Sequence, residues 1–441
     1  MLKDLFLTNR FFGLFAAIIF MFVLGYSIPF FYPLAITFFV IGIALFLVDL
    51  ILLFNKNVQI KIRRRLPKIF SLGDSNKVTI ELENQSSRNL ELIIIDELPV
   101  QFQLRDFEKK LDLSANESKG LSYHLTPLER GVYSFGSVNV FANTKMGLVE
   151  RRFVQDYPMK VPVYPSIIQM KQYELKAFNR VTNQKGIKKI RKIGHSYEFE
   201  QIKNYVKGDD YRSINWKATG RQGNLMVNQF EDERAQQIYC IIDKSRTMRM
   251  PFAGLSLMDY AINTSLALSN IALQKNDKAG LITFSDKIGT TIKAEQKANQ
   301  LNKILTALYN EKERSLEANY ELLYHVSRKL IKGRSLLLLF TNFESIYALD
   351  RMLPILRKIN NLHLLVVVFF ENTEINDFVT GEVNTMEGIY AKTIAQKFIA
   401  EKRAIVHKLK QFGIQAILTS PADLSINSIN KYLELKSRGL I

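Results

Sequence analysis

The sequence contains one cysteine among 441 residues. A single thiol excludes the internal disulfide framework of small secreted proteins and favours a reducing compartment. Apolar residues make up 47% of the chain, which excludes a wholly disordered or collagen-like protein. At about 150 residues per domain, the length predicts about three folded domains.

Charged residues are absent from residues 11–48. One transmembrane helix needs about 20 apolar residues, so this run is too long for a single span. We predict two transmembrane helices, at residues 11–27 and 34–54, separated by the proline-containing segment 29–33. A cleaved signal peptide has an apolar region of about 7–15 residues and no second span, so residues 1–56 are interpreted as a two-helix membrane hairpin.

Basic residues flank the hairpin, whereas the loop between its helices carries no charge. Lys3 and Arg10 precede the first span, and a denser group follows the second span: Lys56, Lys61, Arg63, Arg64, Arg65 and Lys68. Positive flanks stay in the cytoplasm, so we expect a two-pass protein of the inner (cytoplasmic) membrane with both termini and the soluble domains in the cytoplasm. Anionic headgroups of the bilayer would attract these cations, which contribute to a formal net charge of +18.

Residues 57–165 show alternating apolar and polar positions, the pattern of half-buried strands. The alternation is clearest at residues 58–62, 78–82 and 132–141. Because no long helical pattern interrupts it, we predict an antiparallel β-sandwich of about seven strands. This domain contains no catalytic constellation, so we interpret it as a spacer or a binding platform.

Residues 166–235 form a polar segment with a basic run at 185–192. Single-stranded nucleic-acid sites place stacking aromatic side chains among their cations. In the run at 185–192 the residues between the lysines and the arginine are isoleucine and glycine. A solvated linker near an anionic membrane is therefore favoured over a nucleic-acid site.

Residues 236–441 alternate short apolar runs with helical patterns, which predicts an α/β domain with a mostly parallel sheet. The predicted strands are 238–242, 280–284, 336–340, 364–370 and 414–418, and the predicted helices are 257–273, 297–308, 320–331, 347–358 and 392–411. Sites on such sheets form at the carboxyl ends of the strands, and Asp243 lies at such an end.

A D-x-S-x-T loop occupies residues 243–247, and Thr341-Asn342 follows a later strand. The loop resembles the metal-ion-dependent adhesion site of von Willebrand factor A domains. That resemblance implies a von Willebrand factor A-like (Rossmann-like) fold and four ligands for Mg²⁺: Asp243, Ser245, Thr247 and Asn342. Carboxylate and hydroxyl oxygens are suited to this ion.

Three features of the sequence weaken this predicted site. Asn342 replaces the usual distant aspartate, and no threonine precedes the helix near residue 320, where Ser315 and Asn319 are the available substitutes. Lys244 and Arg246 also bring two cations close to the ion. Fewer anionic ligands and nearby positive charge lower the affinity for Mg²⁺, so a vestigial site is the alternative.

A dense motif, Y-x-x-G-D-D-x-R-x-I-N-W-K-x-x-x-R, lies at residues 205–221. It resembles the signature of the domain-of-unknown-function 58 family, and the hairpin and β-rich segment resemble that family's layout. Its polar and aromatic positions are Gly208, Asp209, Asp210, Arg212, Asn215, Trp216, Lys217 and Arg221. We expect a structural role, with the two carboxylates capping amides or pairing with arginines, and with Trp216 packed on the sheet. A recognition surface is the alternative.

Members of this family tend to occur beside MoxR-type AAA+ ATPases. The resemblance therefore implies a non-enzymatic adaptor or client of such an ATPase, with the loop at 243–247 accepting a carboxylate of the partner. A metal-dependent hydrolase, a nuclease or phosphoesterase using Asp209, Asp210 and Asp243 with Glu231 and Asp232, is one alternative. A cell-surface adhesion protein is another, but it would place the soluble part outside the cell. The chain has no zinc-like histidine spacing and no G-x-G-x-x-G turn after the first α/β strand.

Overall fold

The computed structural model describes residues 2–55, 57–105, 107–171, 198–206, 209, 211–231, 235–381 and 385–440. The chain divides into two compact units, Met1–Ser166 and Ile167–Ile441.

Two apolar helices stand near the start of the first unit. Helix α1 spans Asn9–Ser27 and helix α2 spans Phe31–Leu53, and both are long and apolar enough to cross a membrane. Gly42 lets the helices approach closely, because a Cβ atom there would lie 3.2 Å from the side chains of Ile18 and Leu14. The prediction of two N-terminal apolar helices is confirmed.

Antiparallel sheets form the rest of the first unit. The strands are β1 (Leu5–Leu7), β2 (Ile60–Arg65), β3 (Phe70–Ser71), β4 (Asn76–Asn84), β5 (Leu90–Asp96), β6 (Glu108–Leu113), β7 (Ser118–Leu125), β8 (Gly131–Phe135), β9 (Val138–Asn143), β10 (Val149–Gln155) and β11 (Met159–Tyr164). They form sheets with the strand orders β1-β10-β9-β5-β6, β2-β4-β7 and β3-β11-β8. Among these described strands, only β3 and β11 pair in parallel. The predicted antiparallel character is confirmed, and β1 adds residues that precede the hairpin.

The second unit contains an antiparallel hairpin and a six-stranded mixed sheet. The hairpin pairs β12 (Glu198–Asn204) with β13 (Met226–Glu231). The sheet consists of β14 (Gln237–Asp243), β17 (Lys278–Phe284), β18 (Ile288–Glu295), β19 (Leu336–Phe340), β20 (Leu364–Phe370) and β21 (Gln415–Thr419), and a two-residue pair, β15 (Pro251–Phe252) and β16 (Leu255–Ser256), lies outside it. Its order is β18-β17-β14-β19-β20-β21, with β18 antiparallel at one edge and the other neighbours parallel.

Helices accompany these strands along the second unit. They are α3 (Trp216–Gln222), α4 (Leu257–Gln274), α5 (Gln300–Asn310), α6 (Tyr320–Leu330), α7 (Ile346–Leu362), α8 (Thr373–Thr380), α9 (Met386–Gln411) and α10 (Leu424–Ser437). The predicted combination of a largely parallel sheet with helices is confirmed. Strand β18 and helices α8 and α10 are additions that the sequence patterns did not predict.

Alternate residues of β14 enter two different apolar clusters. Ile238, Cys240 and Ile242 pack with residues of α4, α5 and α10, whereas Tyr239 and Ile241 pack with residues of α6, α7 and α9. Helices therefore cover both faces of the sheet, and a strand buried on both faces reads as a continuous apolar run. The end of β14 then emerges at the carboxyl edge of the sheet, where the loop at 243–247 begins.

Candidate functional site

Asp243 is the last residue of β14 and is 1% exposed. Its Oδ1 accepts a hydrogen bond from the Ser245 N–H at 2.9 Å, and its Oδ2 accepts one from the Thr341 hydroxyl at 2.7 Å. Thr341 is in reach because it follows β19, the parallel neighbour of β14. Burial raises the pKa of the Asp243 carboxyl, against hydrogen bonds that lower it.

The two hydroxyl residues of the loop face each other. The Oγ of Ser245 and the Oγ1 of Thr247 are 3.2 Å apart, and Asn342 donates from its Nδ2 to the Thr247 carbonyl at 3.3 Å. Together with Thr341, the four predicted ligands thus form one hydrogen-bonded cluster at the carboxyl ends of β14 and β19.

A lysine from α9 completes this cluster. Lys402 Nζ donates to Asn342 Oδ1 at 2.7 Å and to the Phe343 carbonyl at 2.6 Å. Burial lowers the pKa of Lys402 to about 8. Our sequence analysis missed this residue, although a signal was present: Lys402 stands in an apolar stripe of α9 that continues at Ile405 and Leu409, where a cation is unusual.

Lys244 is neutralised by a carboxylate from another part of the sheet edge. Its Nζ lies 2.6 Å from Glu311 Oε2, and the Thr283 hydroxyl donates to Glu311 Oε1 at 2.8 Å. Burial alone would raise the pKa of Glu311, but hydrogen bonds from Lys244, Thr290 and Thr283 hold it below its usual range. Lys244, which we predicted to lie close to the ion, is therefore already paired with Glu311.

The two substitute ligands make contacts of a different kind. Ser315 accepts a hydrogen bond from Arg249 Nη1 at 3.2 Å. Asn319 caps α6 by accepting from the Leu322 N–H at 3.2 Å. Asn319 therefore acts as an N-cap, whereas Ser315 contacts a residue that follows the loop at 243–247.

The chemistry of these donors fits a divalent cation poorly. The site offers one carboxylate, Asp243, and both of its oxygens already accept hydrogen bonds. The Asn342 oxygen, which the resemblance assigns to the metal, accepts from an ammonium group instead. Within the residues that the structure describes, no three His, Cys, Asp or Glu side chains come together as metal ligands. Asp210 and Asp232, two of the residues predicted for a metal-dependent hydrolase, lie outside the described residues.

The motif at 205–221 is built from local hydrogen bonds where it is described; Gly208 and Asp210 lie outside the described residues. Asp209 accepts from Lys203 Nζ at 2.9 Å and from the Val206 N–H at 3.0 Å, and these bonds lower the pKa of Asp209. Asn215 caps α3 through the Ala218 N–H at 3.0 Å.

The aromatic and basic residues of this motif lie on the surface. Trp216 is 72% exposed, so the expectation that its ring packs on the sheet is wrong. Trp216 is the first residue of helix α3, which has seven residues. Arg212, Lys217 and Arg221 are exposed as well, and the guanidinium of Arg212 lies 5.7 Å from the ring of Tyr211. The motif thus combines a structural turn with an exposed aromatic and basic surface.

Comparison with known proteins supports the family assignment. Residues 201–377 match the family model described as "Protein of unknown function DUF58", which confirms the resemblance to that family over this range. The chain is 28% identical over 127 residues to the uncharacterized protein YeaD of Bacillus subtilis; this stretch spans 29% of the chain and 31% of that protein.

Two solved structures show weak similarity. Proximal thread matrix protein 1 from the mussel byssus matches with a TM-score of 0.27 and 11% identity, over 46% of this chain and 45% of that one. An ASH/PapD-like domain of human CEP192 matches with a TM-score of 0.20 and 14% identity, over 25% of this chain and 89% of that one.

Proposed function

We propose that this protein is a membrane-anchored, non-enzymatic interaction module whose second unit has a von Willebrand factor A-like fold. The observation that carries the proposal is the buried Asp243, which ties the main chain of the 243–247 loop to Thr341 on the adjacent strand end. Such a network holds the loop in one conformation without a metal ion. The exposed side chains of Arg246 in the loop and of Arg249 just after it then form a basic edge for a partner; they pair with Glu344 and Glu313 at 3.7 and 3.5 Å.

The partner class follows from the family resemblance. We propose a MoxR-type AAA+ ATPase, with this protein as its adaptor or client, and a carboxylate-bearing segment of the partner as the group that meets the loop. The two apolar helices would anchor the chain in the inner membrane. The basic residues around the helices favour a cytoplasmic position for both units.

Capture of the ATPase from detergent-solubilised membranes tests this function. We expect Asp243→Ala to reduce capture strongly, because the loop loses the carboxylate that orders it. Since loss of a buried group also affects folding, Arg246→Ala serves as a second variant; Arg246 is exposed and forms a long ion pair with Glu344 at 3.7 Å. Asp377→Ala, an exposed carboxylate on α8, is the control. Undiminished capture by both loop variants would refute the role of the loop.

A further inference from the structure

A cavity of about 200 Å³ lies beside the loop, at the carboxyl ends of β19, β20 and β21. Its walls are largely apolar, with contributions from Phe252, Leu257, Phe370, Ile375, Phe398 and Leu418. An engineered apolar cavity of about 150 Å³ in another protein accommodates benzene, so this space is large enough for one ring or branched aliphatic group. Ligands of open α/β sheets bind at this edge.

Two cations line the cavity, the half-buried Lys402 and the exposed Arg403. Lys402 lines it together with Asn342, and its ammonium lies 5.8 Å from the centre of the Phe369 ring. An ammonium has three N–H donors, and the two hydrogen bonds to Asn342 and Phe343 use two of them. Both acceptors are neutral. Glu344 acts electrostatically on Lys402, but neither it nor any other described carboxylate forms an ion pair with the ammonium.

The carboxylates at the cavity border restrict the charge of a ligand. Glu344, Glu371 and Glu374 line the outer part, and Glu344 and Glu374 are exposed. Glu344 is engaged with Arg246 at 3.7 Å. A phosphate or a dicarboxylate would turn a second negative charge towards these glutamates, whereas a single carboxylate at Lys402 would not.

We infer that this cavity binds a carboxylate attached to an apolar group, with Lys402 as the residue that receives the carboxylate. The third N–H of the ammonium donates to a carboxylate oxygen, and the apolar group fills the space between Phe252, Phe370 and Phe398. Lys402 is half-buried and has no carboxylate within ion-pair distance among the described residues, and the ligand supplies that direct partner. The inference goes beyond the proposed function, because the cavity binds such a carboxylate whether or not the loop binds an ATPase.

Phenylacetate and phenylacetamide are matched probes for this site. They have the same ring and nearly the same size, but only phenylacetate carries a charge. The full chain, labelled with ¹³C at the methionine methyl groups and held in detergent micelles, reports binding through Met250, which lines the cavity. We expect a saturable shift of the Met250 resonance with phenylacetate at a concentration about tenfold lower than with phenylacetamide, equivalent to about 1.4 kcal/mol.

Variants distinguish binding at the Lys402 ammonium from a general effect of positive charge near the cavity. Lys402→Met keeps most of the side-chain length and removes the charge, so it should abolish the preference for phenylacetate. Arg403→Gln removes a neighbouring exposed cation that also lines the cavity and should leave the preference in place. Lys402→Arg keeps the charge and should retain the preference for phenylacetate. This variant tests the inference if Lys402→Met does not fold.

Two peptides ending in phenylalanine, one with a free and one with an amidated C-terminus, distinguish the sources of the carboxylate. Binding of the free-carboxylate peptide alone assigns the site to the end of a partner chain. Binding of phenylacetate but of neither peptide assigns it to a small molecule. Equal affinity for phenylacetate and phenylacetamide, or no saturable shift with any probe, would overturn the inference. Loss of ATPase capture would not overturn the inference, because capture tests the loop at 243–247 and not the cavity.

Discussion

Buried charges of this chain are held by partners that the fold brings from distant positions. In the first unit, Arg64 and Asp96 form an ion pair at 2.6 Å with side chains that are 4% and 0% exposed. The Tyr123 hydroxyl also donates to Asp96, and the Gly136 carbonyl accepts from Arg64. Removing one member of such a pair leaves an uncompensated buried charge.

We expect Asp96→Ala to lower the free energy of unfolding by about 3–5 kcal/mol, because Arg64 stays buried without its carboxylate. Glu81→Ala is the matched control: Glu81 pairs with Arg65, the next residue of β2, but both side chains are exposed, and such pairs contribute about 0–1 kcal/mol. Urea unfolding of the purified protein measures both. Similar losses for the two variants would contradict the assignment of Arg64 and Asp96 as a buried, mutually dependent pair.

Single residues also show how far the sequence specifies the site. The D-x-S-x-T spacing and the strand end before Thr341 were sufficient to predict that the loop at 243–247 lies beside Asn342, because neighbouring parallel strands end at one edge of the sheet. Lys402 was not predicted, since its contact to Asn342 joins α9 to the end of β19 across 60 residues. Trp216 was placed wrongly because a large ring in a motif was assumed to be buried, whereas nothing in the local sequence determines which way it points.

At the scale of elements, the end of α2 is joined to the turn before β10. Asp49, which is 0% exposed, accepts hydrogen bonds from the Leu148 and Val149 N–H groups at 2.9 and 3.1 Å and from the Thr144 hydroxyl at 2.5 Å. Strand β1 pairs with β10 just before α1 begins. The hairpin and the adjoining sheet are therefore joined by both backbone and side-chain hydrogen bonds.

Asp49→Ala should increase the hydrogen-exchange rate of the Leu148 and Val149 amides by about ten- to hundredfold. A buried N–H without its acceptor costs about 1–3 kcal/mol, and this cost favours local opening. Amides of β4, which belongs to a different sheet of the same unit, provide an internal control and should exchange at unchanged rates. Unchanged protection at Leu148 and Val149 would show that Asp49 does not hold the turn.

Strands that consist of continuous apolar runs were predicted well, whereas helix α10 was missed. Strands β19 and β20 have the predicted bounds, because four or more consecutive buried apolar residues mark each. Helix α10 was missed because its buried face includes Ser425 and Ser428, which interrupt the apolar pattern. The Ser425 and Thr264 hydroxyls lie 2.7 Å apart. Ser425 therefore forms a tertiary hydrogen bond, which a local sequence pattern does not predict.

At the scale of the whole molecule, the positive charge and the apolar hairpin support one orientation in the membrane. Thiol labelling in intact cells tests it without interference from Cys240, which is buried and whose pKa burial raises to about 12. Val100 is 83% exposed in the first unit, and Tyr26 is 94% exposed near the end of α1. With a membrane-impermeant reagent, we expect Tyr26→Cys to be labelled in intact cells and Val100→Cys only after permeabilisation. Labelling of Val100→Cys in intact cells would place the first unit outside and would favour an adhesion protein over an adaptor of a cytoplasmic ATPase.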